Sequence, residues 1–282
     1  MIPDDDPLPR PPLTIEFVFL IALVAPLVHL LWEILFELLR VPLAQSRVGM
    51  AALLTYGGAF ALCAVRFRQP PARQLGLIPA PASAWLAVVF LVAAVVVSSE
   101  LDNVVKGLFP PPPPLPPDPT APHFNEPLLG ASGALAYVVA LPLGYSLFFC
   151  GVLQPLATRT LGVITGVLLT TFLAGFAGAF LPALVLGGLW PLAPKLVDQL
   201  ILCILRQSSG SLWPVLALDS LWGLAQILAM YKLFGLEGFD SGGAHTPAAW
   251  VTGCLALTFV GLVLCRAAAR GGETGSSRAA SG

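Results

Sequence analysis

LPLGYSLFFCGVLQPLATRTLG, residues Leu141 to Gly162, ends one apolar helix and turns into the next. Its upstream flank is apolar back to Ala131, so the run is long enough to cross a hydrocarbon core of about 30 Å, which takes about 20 helical residues. The same pattern recurs along the chain. Of 282 residues, 57% are hydrophobic and 10% charged, against about 25% charged in a soluble domain, and the mean hydropathy is +0.86. Backbone polar groups in lipid have to be satisfied within the segment, which favours helices. The sequence therefore predicts an all-α, polytopic transmembrane helical bundle of about eight spans.

The expected spans are about 13–39, 49–65, 82–99, 131–152, 161–180, 195–206, a seventh opening at the turn SSGSLWP (Ser208 to Pro214), and 247–265. Pro155 and the residues Leu156 to Thr160 read as a short turn. Residues 1–12 form an acidic, proline-rich tail, 13–268 the transmembrane domain, and 269–282 a tail expected to be disordered. FPPPPPLPPDPTAP, Phe109 to Pro122, favours extended polyproline II structure and reads as a semi-rigid spacer. MIPDDDPLPRPP lacks the basic first region of a signal peptide, so the first span is expected to stay as an anchor.

A formal charge of -1 with no basic patch gives no reason to expect nucleic acid. The five cysteines have no paired spacing and read as apolar packing residues. Alternating the spans puts nine Lys and Arg residues on the side of both termini against five on the other, with the densest cluster (Arg66, Arg68, Arg73) in a short loop. That bias predicts cytoplasmic termini. The chain is expected in a bacterial inner membrane, with lipid as its first partner.

Ionisable residues inside a span are costly and point by default to a site or a buried polar contact. In the first span His29, Glu33 and Glu37 are spaced i, i+4, i+8 and share a helical face. The simplest reading pairs His29 with Glu33 and leaves Glu37 and Arg40 at the interface. A sharper one brings His29 and Glu33 to Asp219 of the seventh span, where three such ligands would suit zinc with water in the fourth position. Gly162, Gly166, Thr170, Ala174 and Gly178 form a small-residue stripe suited to close helix packing. Glu100, Leu101, Asp102 and Asn103 read as an interfacial polar cap.

Three segments carry a resemblance. The opening stretch is similar to the signature helix of the CAAX-protease and bacteriocin-processing family of intramembrane endopeptidases, sharing its frame at Pro142, Phe149, Gly151, Leu153, Gln154, Arg159, Leu161 and Gly162. Gln74-Leu75-Gly76-Leu77 before Pro79 resembles the family's "LGL" segment, and Gly210-Ser211-Leu212-Trp213-Pro214 its "GSLWP" turn. The resemblance implies a family-like core over about 131–235. It also implies where catalysis would reside, and there the chain departs from the pattern. Tyr145 and Ser146 stand at the two glutamate positions, Cys150 at the arginine, Asp219 at a histidine and Gly223 at an asparagine. A further family histidine would fall at Gly178, Phe176 or Phe180, and no histidine lies between His123 and His245.

Such glutamates act in dry cavities as bases toward water, and histidine or asparagine donors stabilise an oxyanion. Tyr145, Ser146 and Cys150 are not bases at neutral pH. The expectation is a pseudoprotease that binds transmembrane segments or partners an active family member, with no cofactor and no metal. The alternative is an active endopeptidase processing C-terminal tails or sorting signals with displaced residues, His29 and Glu33 among them, or with Ser146 or Cys150 as nucleophile. A transporter would show repeated halves, and no internal repeat is visible.

Overall fold

A computed structural model describes residues 13–41, 44–67, 70–110, 131, 134–186, 191–230, 235–239 and 244–279. Every regular element among them is helical. The elements are α1 (Ile15–Leu38), α2 (Ala44–Ala64), α3 (Pro71–Gln74), α4 (Ala82–Leu91), α5 (Ala94–Leu108), α6 (Ala136–Leu161), α7 (Val163–Leu186), α8 (Leu192–Ser209), α9 (Trp213–Met230) and α10 (Ala248–Ala279). Six helical stretches, with α4 and α5 counted as one, are long and apolar enough to cross a membrane. Trp213–Ala229 within α9 is apolar but shorter, and α8 carries Lys195, Asp198 and Arg206 among its apolar residues. The chain is a multi-pass, all-α membrane bundle. The N-terminal tail and most of the proline-rich segment, with His123, lie outside the described residues.

The burial pattern is that of a bundle in lipid. Along α1 the buried residues Val18, Ala22, Ala25, Pro26 and His29 follow helical spacing, while Leu20, Leu27, Leu31 and Leu38 point outward, the last 74% exposed. Alanines and glycines dominate the inner faces, as close packing without a hydrophobic drive requires. Two apolar cores result. One joins Leu91 of α4 to Leu202 and Leu205 of α8 and Val215 and Leu218 of α9; the other joins Tyr56 of α2 to Phe148, Phe149 and Leu153 of α6.

Helix α6 lies between these cores and has two π-helical turns, Ala136–Ala140 and Phe149–Leu153. Each is followed by a proline. Gln154 N–H reaches back five residues to Phe149 instead of four to Cys150, and Pro155, the next in line, has no N–H to offer. The Cys150 carbonyl is thereby released, and Arg206 Nε donates to it at 3.1 Å. Leu141 N–H likewise reaches Ala136, Pro142 follows, and the Tyr137 carbonyl turns toward Gly223 on α9. This corrects the expected turn after Pro155. The helix continues to Leu161, because the wide turn accommodates the missing proline donor, and it ends only at Gly162 with φ 85°.

The three motif segments meet at one junction. Arg206, buried at the end of α8, donates through Nε to Cys150 O and through a terminal nitrogen to Leu75 O, both at 3.1 Å. Leu212 N–H donates to Gly76 O at 2.9 Å, and Ser211 Oγ donates to Ile78 O at 2.6 Å. Leu75 and Leu212 side chains both abut Gly151. Gly76 has φ 69°, and a side chain there would run into the Arg206 guanidinium, so the position is doubly restricted to glycine.

Other boundaries also differ from expectation. The third span does not stop near Ser99. After a break at Val92 and Ala93 the helix resumes and runs to Leu108. Its supposed polar cap is a latch: Glu100 accepts from Thr246 N–H at 2.8 Å and faces His245 Nδ1 at 2.7 Å, and Asn103 donates to Gly238 O at 2.8 Å. These bonds tie the loop before α10 to α5. Helix α10 runs to Ala279, past the expected start of the tail at 269, with no proline to end it.

Candidate functional site

The arrangement around α6 defines a cavity of about 550 Å³ lined by α1, α2, α6, α7, α8 and α9. His29, Tyr145, Asp219 and Gly223, all singled out from the sequence, line it. So do Lys195, Asp198 and Gln199 of α8 and Gln226 of α9, with aromatic walls from Tyr137 and Trp222. Such a volume lies within the range of about 300–1,000 Å³ typical of ligand sites.

The positions that correspond to the family's catalytic residues are held by internal contacts. Tyr145 Oη donates to Ala177 O on α7 at 3.2 Å, and its ring packs against that of Tyr56 at a tilt of 41° with centroids 4.2 Å apart. Ser146 is buried, and its Oγ donates to Asp219 Oδ2 at 2.8 Å. Gly223 is where it is because the Tyr137 carbonyl, displaced by the π turn, closes on the α9 backbone; a Cβ there would collide with it. The asparagine that the resemblance calls for has no room.

Cys150 is a correction. The sequence places it in the cavity beside Tyr145 and Ser146, but it is 1% exposed and lies in the apolar core with Cys203, Leu205 and Leu212. Cys150 sits within the π turn Phe149–Leu153. Neither Cys150 nor Ser146 lines the cavity. A nucleophilic role for Cys150 has no adjacent base in support, since it lies against carbonyl and apolar groups; Ser146 has Asp219 within hydrogen-bond reach, but its hydroxyl is buried and does not line the cavity.

His29 and Glu33 pair with each other, Nε2 to Oε1 at 3.6 Å, as their i, i+4 spacing suggests. Only His29 faces the cavity. The three-ligand arrangement of His29, Glu33 and Asp219 is therefore not assembled, and among the described residues no group of three His, Cys, Asp or Glu side chains is placed to hold a metal ion. Glu37 pairs with Arg47 of α2 at the helix ends. All five cysteines are free and buried, in keeping with packing roles.

No family model, curated protein or solved structure matches this chain.

Four polar lining residues escaped the reading of the sequence: Lys195, Asp198, Gln199 and Gln226. Their signal was present. Lys195, Asp198 and Gln199 are spaced i, i+3, i+4 on one face of α8, and Gln226 follows Asp219 by seven residues, two helical turns, on α9. Lys195 Nζ lies 3.9 Å from Asp198 Oδ2. The small-residue stripe divides between two tasks. Gly166 closes on the backbone of Thr158, whereas Gly178 borders the cavity, and a Cβ there would meet the Lys195 and Tyr145 side chains at ordinary van der Waals distance.

Proposed function

We propose that this chain is a non-hydrolytic binding protein of the membrane, a pseudoprotease in the sense of the family it resembles, whose cavity takes up part of a membrane-embedded segment of another protein. The observation that carries the reading is the Ser146–Asp219 hydrogen bond. The residue at the second glutamate position and the residue at the histidine position engage each other, and the Ser146 hydroxyl is held against Asp219 outside the cavity lining. The cavity volume fits the role: one helical turn, about 5.4 Å long and about 10–12 Å across, occupies roughly 420–610 Å³. An active protease carrying the glutamates missing here is a natural companion, with this chain holding the segment and the companion cutting it.

The charge bias supports the orientation already described. Lys195 faces the cavity and Arg206 is buried at the junction, so neither is a loop charge, and the bias becomes eight against four in the same direction. Both termini are then cytoplasmic, and a bacterial inner membrane is the expected location.

A second reading is favoured by one observation: His29 and Asp219 line the same cavity. In that reading the chain is an endopeptidase with displaced residues.

Binding is tested with the full chain reconstituted in vesicles and a fluorescent, apolar helical peptide of about 20 residues. Gly178→Leu should fill the void from a position with room for the new side chain. Saturable binding that is lost in this variant supports the proposal; binding that the variant leaves unchanged, or no binding at all, overturns it.

A further inference from the structure

The charges in the cavity wall do not balance. Two carboxylates, Asp198 and Asp219, face one ammonium, Lys195. Lys195 lies 3.9 Å from Asp198, its i, i+3 neighbour, and is the one ammonium both carboxylates share. Asp219 has a neutral hydroxyl, that of Ser146, as its hydrogen-bond donor. A carboxylate removed from water without a counter-charge is costly, and a cation entering the cavity relieves that cost.

The rest of the wall suits a cation too. Tyr137, Tyr145 and Trp222 offer aromatic faces, whose quadrupoles attract ammonium and guanidinium groups within about 6 Å of the ring centre. The side-chain oxygens of Gln199 and Gln226 are acceptors. From α1, His29 also lines the cavity and is 5% exposed, with its Nε2 turned to Glu33 Oε1 at 3.6 Å. A second cavity, of about 170 Å³, shares Lys195, Asp198, Trp222 and Gln226 with the first and extends to Ser98, Ser99 and Asp102. Asp198 and Asp219 border the first cavity, and Asp102, paired with Lys106, borders the second, with Lys195 and His29 as the basic side chains lining them.

We propose that the cavity recognises a Lys or Arg side chain carried within a membrane segment and pairs its cationic head with Asp219. The inference rests on the binding reading above and adds to it a selectivity. A basic side chain at membrane depth is costly to its own helix, so a segment bearing one gains from a cavity in which two carboxylates share a single ammonium.

The test compares three fluorescent peptides of about 20 Leu and Ala residues, with Lys, Gln or Leu at the centre. They are titrated into full-length protein in phosphatidylcholine vesicles, whose surface carries no net charge. The Lys peptide should bind about tenfold more tightly than the Gln peptide, the scale of one interhelical polar contact of about 1–2 kcal/mol. Asp219→Asn keeps the shape and an acceptor for Ser146, and should bring that ratio close to one. Lys195→Met removes the competing ammonium and should raise the ratio, which keeps the inference falsifiable even if the Asp219 variant does not fold. Equal binding of Lys and Gln peptides to the unaltered protein, a ratio that survives Asp219→Asn, or a ratio lowered by Lys195→Met each overturns the inference. If all peptides bind alike and all are lost in Gly178→Leu, the selectivity falls and the binding reading stands; if no peptide binds, both fall.

Discussion

Arg206 and Asp219 are polar side chains on consecutive helices, and the fold treats them oppositely. The Arg206 guanidinium is clamped by carbonyls from two distant segments, those of Leu75 and Cys150, and the turn carrying Leu212 seals the same junction. Asp219 receives one hydroxyl and otherwise borders a void. All three segments that carry the family resemblance converge on the first region, while the substituted positions Tyr145, Asp219 and Gly223 border the second. The difference separates side chains that lock distant segments together, around Arg206, from side chains that line a cavity, around Asp219.

The comparison predicts a hierarchy of effects. Arg206→Leu should be the most damaging, because two buried carbonyls lose their donor at about 1–3 kcal/mol each; unfolding in detergent should show a loss of about 2–5 kcal/mol. A loss under about 1 kcal/mol would remove the junction from the account. Next comes Gly223→Asn, which restores the residue the resemblance calls for yet forces α9 off the Tyr137 carbonyl. Overpacking of that kind costs about 1–3 kcal/mol, and a neutral or stabilising result would show that α6 and α9 separate easily. Tyr145→Phe deletes the bond to Ala177 and should cost about 1 kcal/mol in the same measurement. Asp219→Asn should change stability least, by less than about 1 kcal/mol, since the amide oxygen still accepts from Ser146. A large destabilisation there would make Asp219 a structural residue like Arg206.

The helices were readable in the sequence because apolar runs of membrane length leave few alternatives, and the His29–Glu33 pair followed from its spacing. What was not readable traces to particular residues. Pro155 ordinarily signals the end of a helix, and only the π turn at Phe149–Leu153, which a sequence pattern does not show, lets α6 continue past it. Cys150, which the resemblance assigns to one site with Tyr145 and Ser146, lies in that same turn and in the apolar core. Gly223 looks like a lost catalytic residue in sequence and proves to be a steric requirement of a carbonyl contributed by another helix. Lys195 and Asp198 were passed over because α8 follows a proline- and glycine-rich stretch and reads as a short helix, so its charges resemble end caps. Asp219 was found from the resemblance alone, and its partner Ser146 is 73 residues away, a separation that no local pattern bridges.

The central claim, that this cavity holds and does not cut, is tested most directly by mass spectrometry of the single-lysine peptide after prolonged incubation with the reconstituted protein, beside Asp219→Asn and Glu33→Gln variants. The account predicts intact peptide in all three samples, with the unaltered protein retaining it. Cleavage by the unaltered protein that disappears in either variant would contradict it.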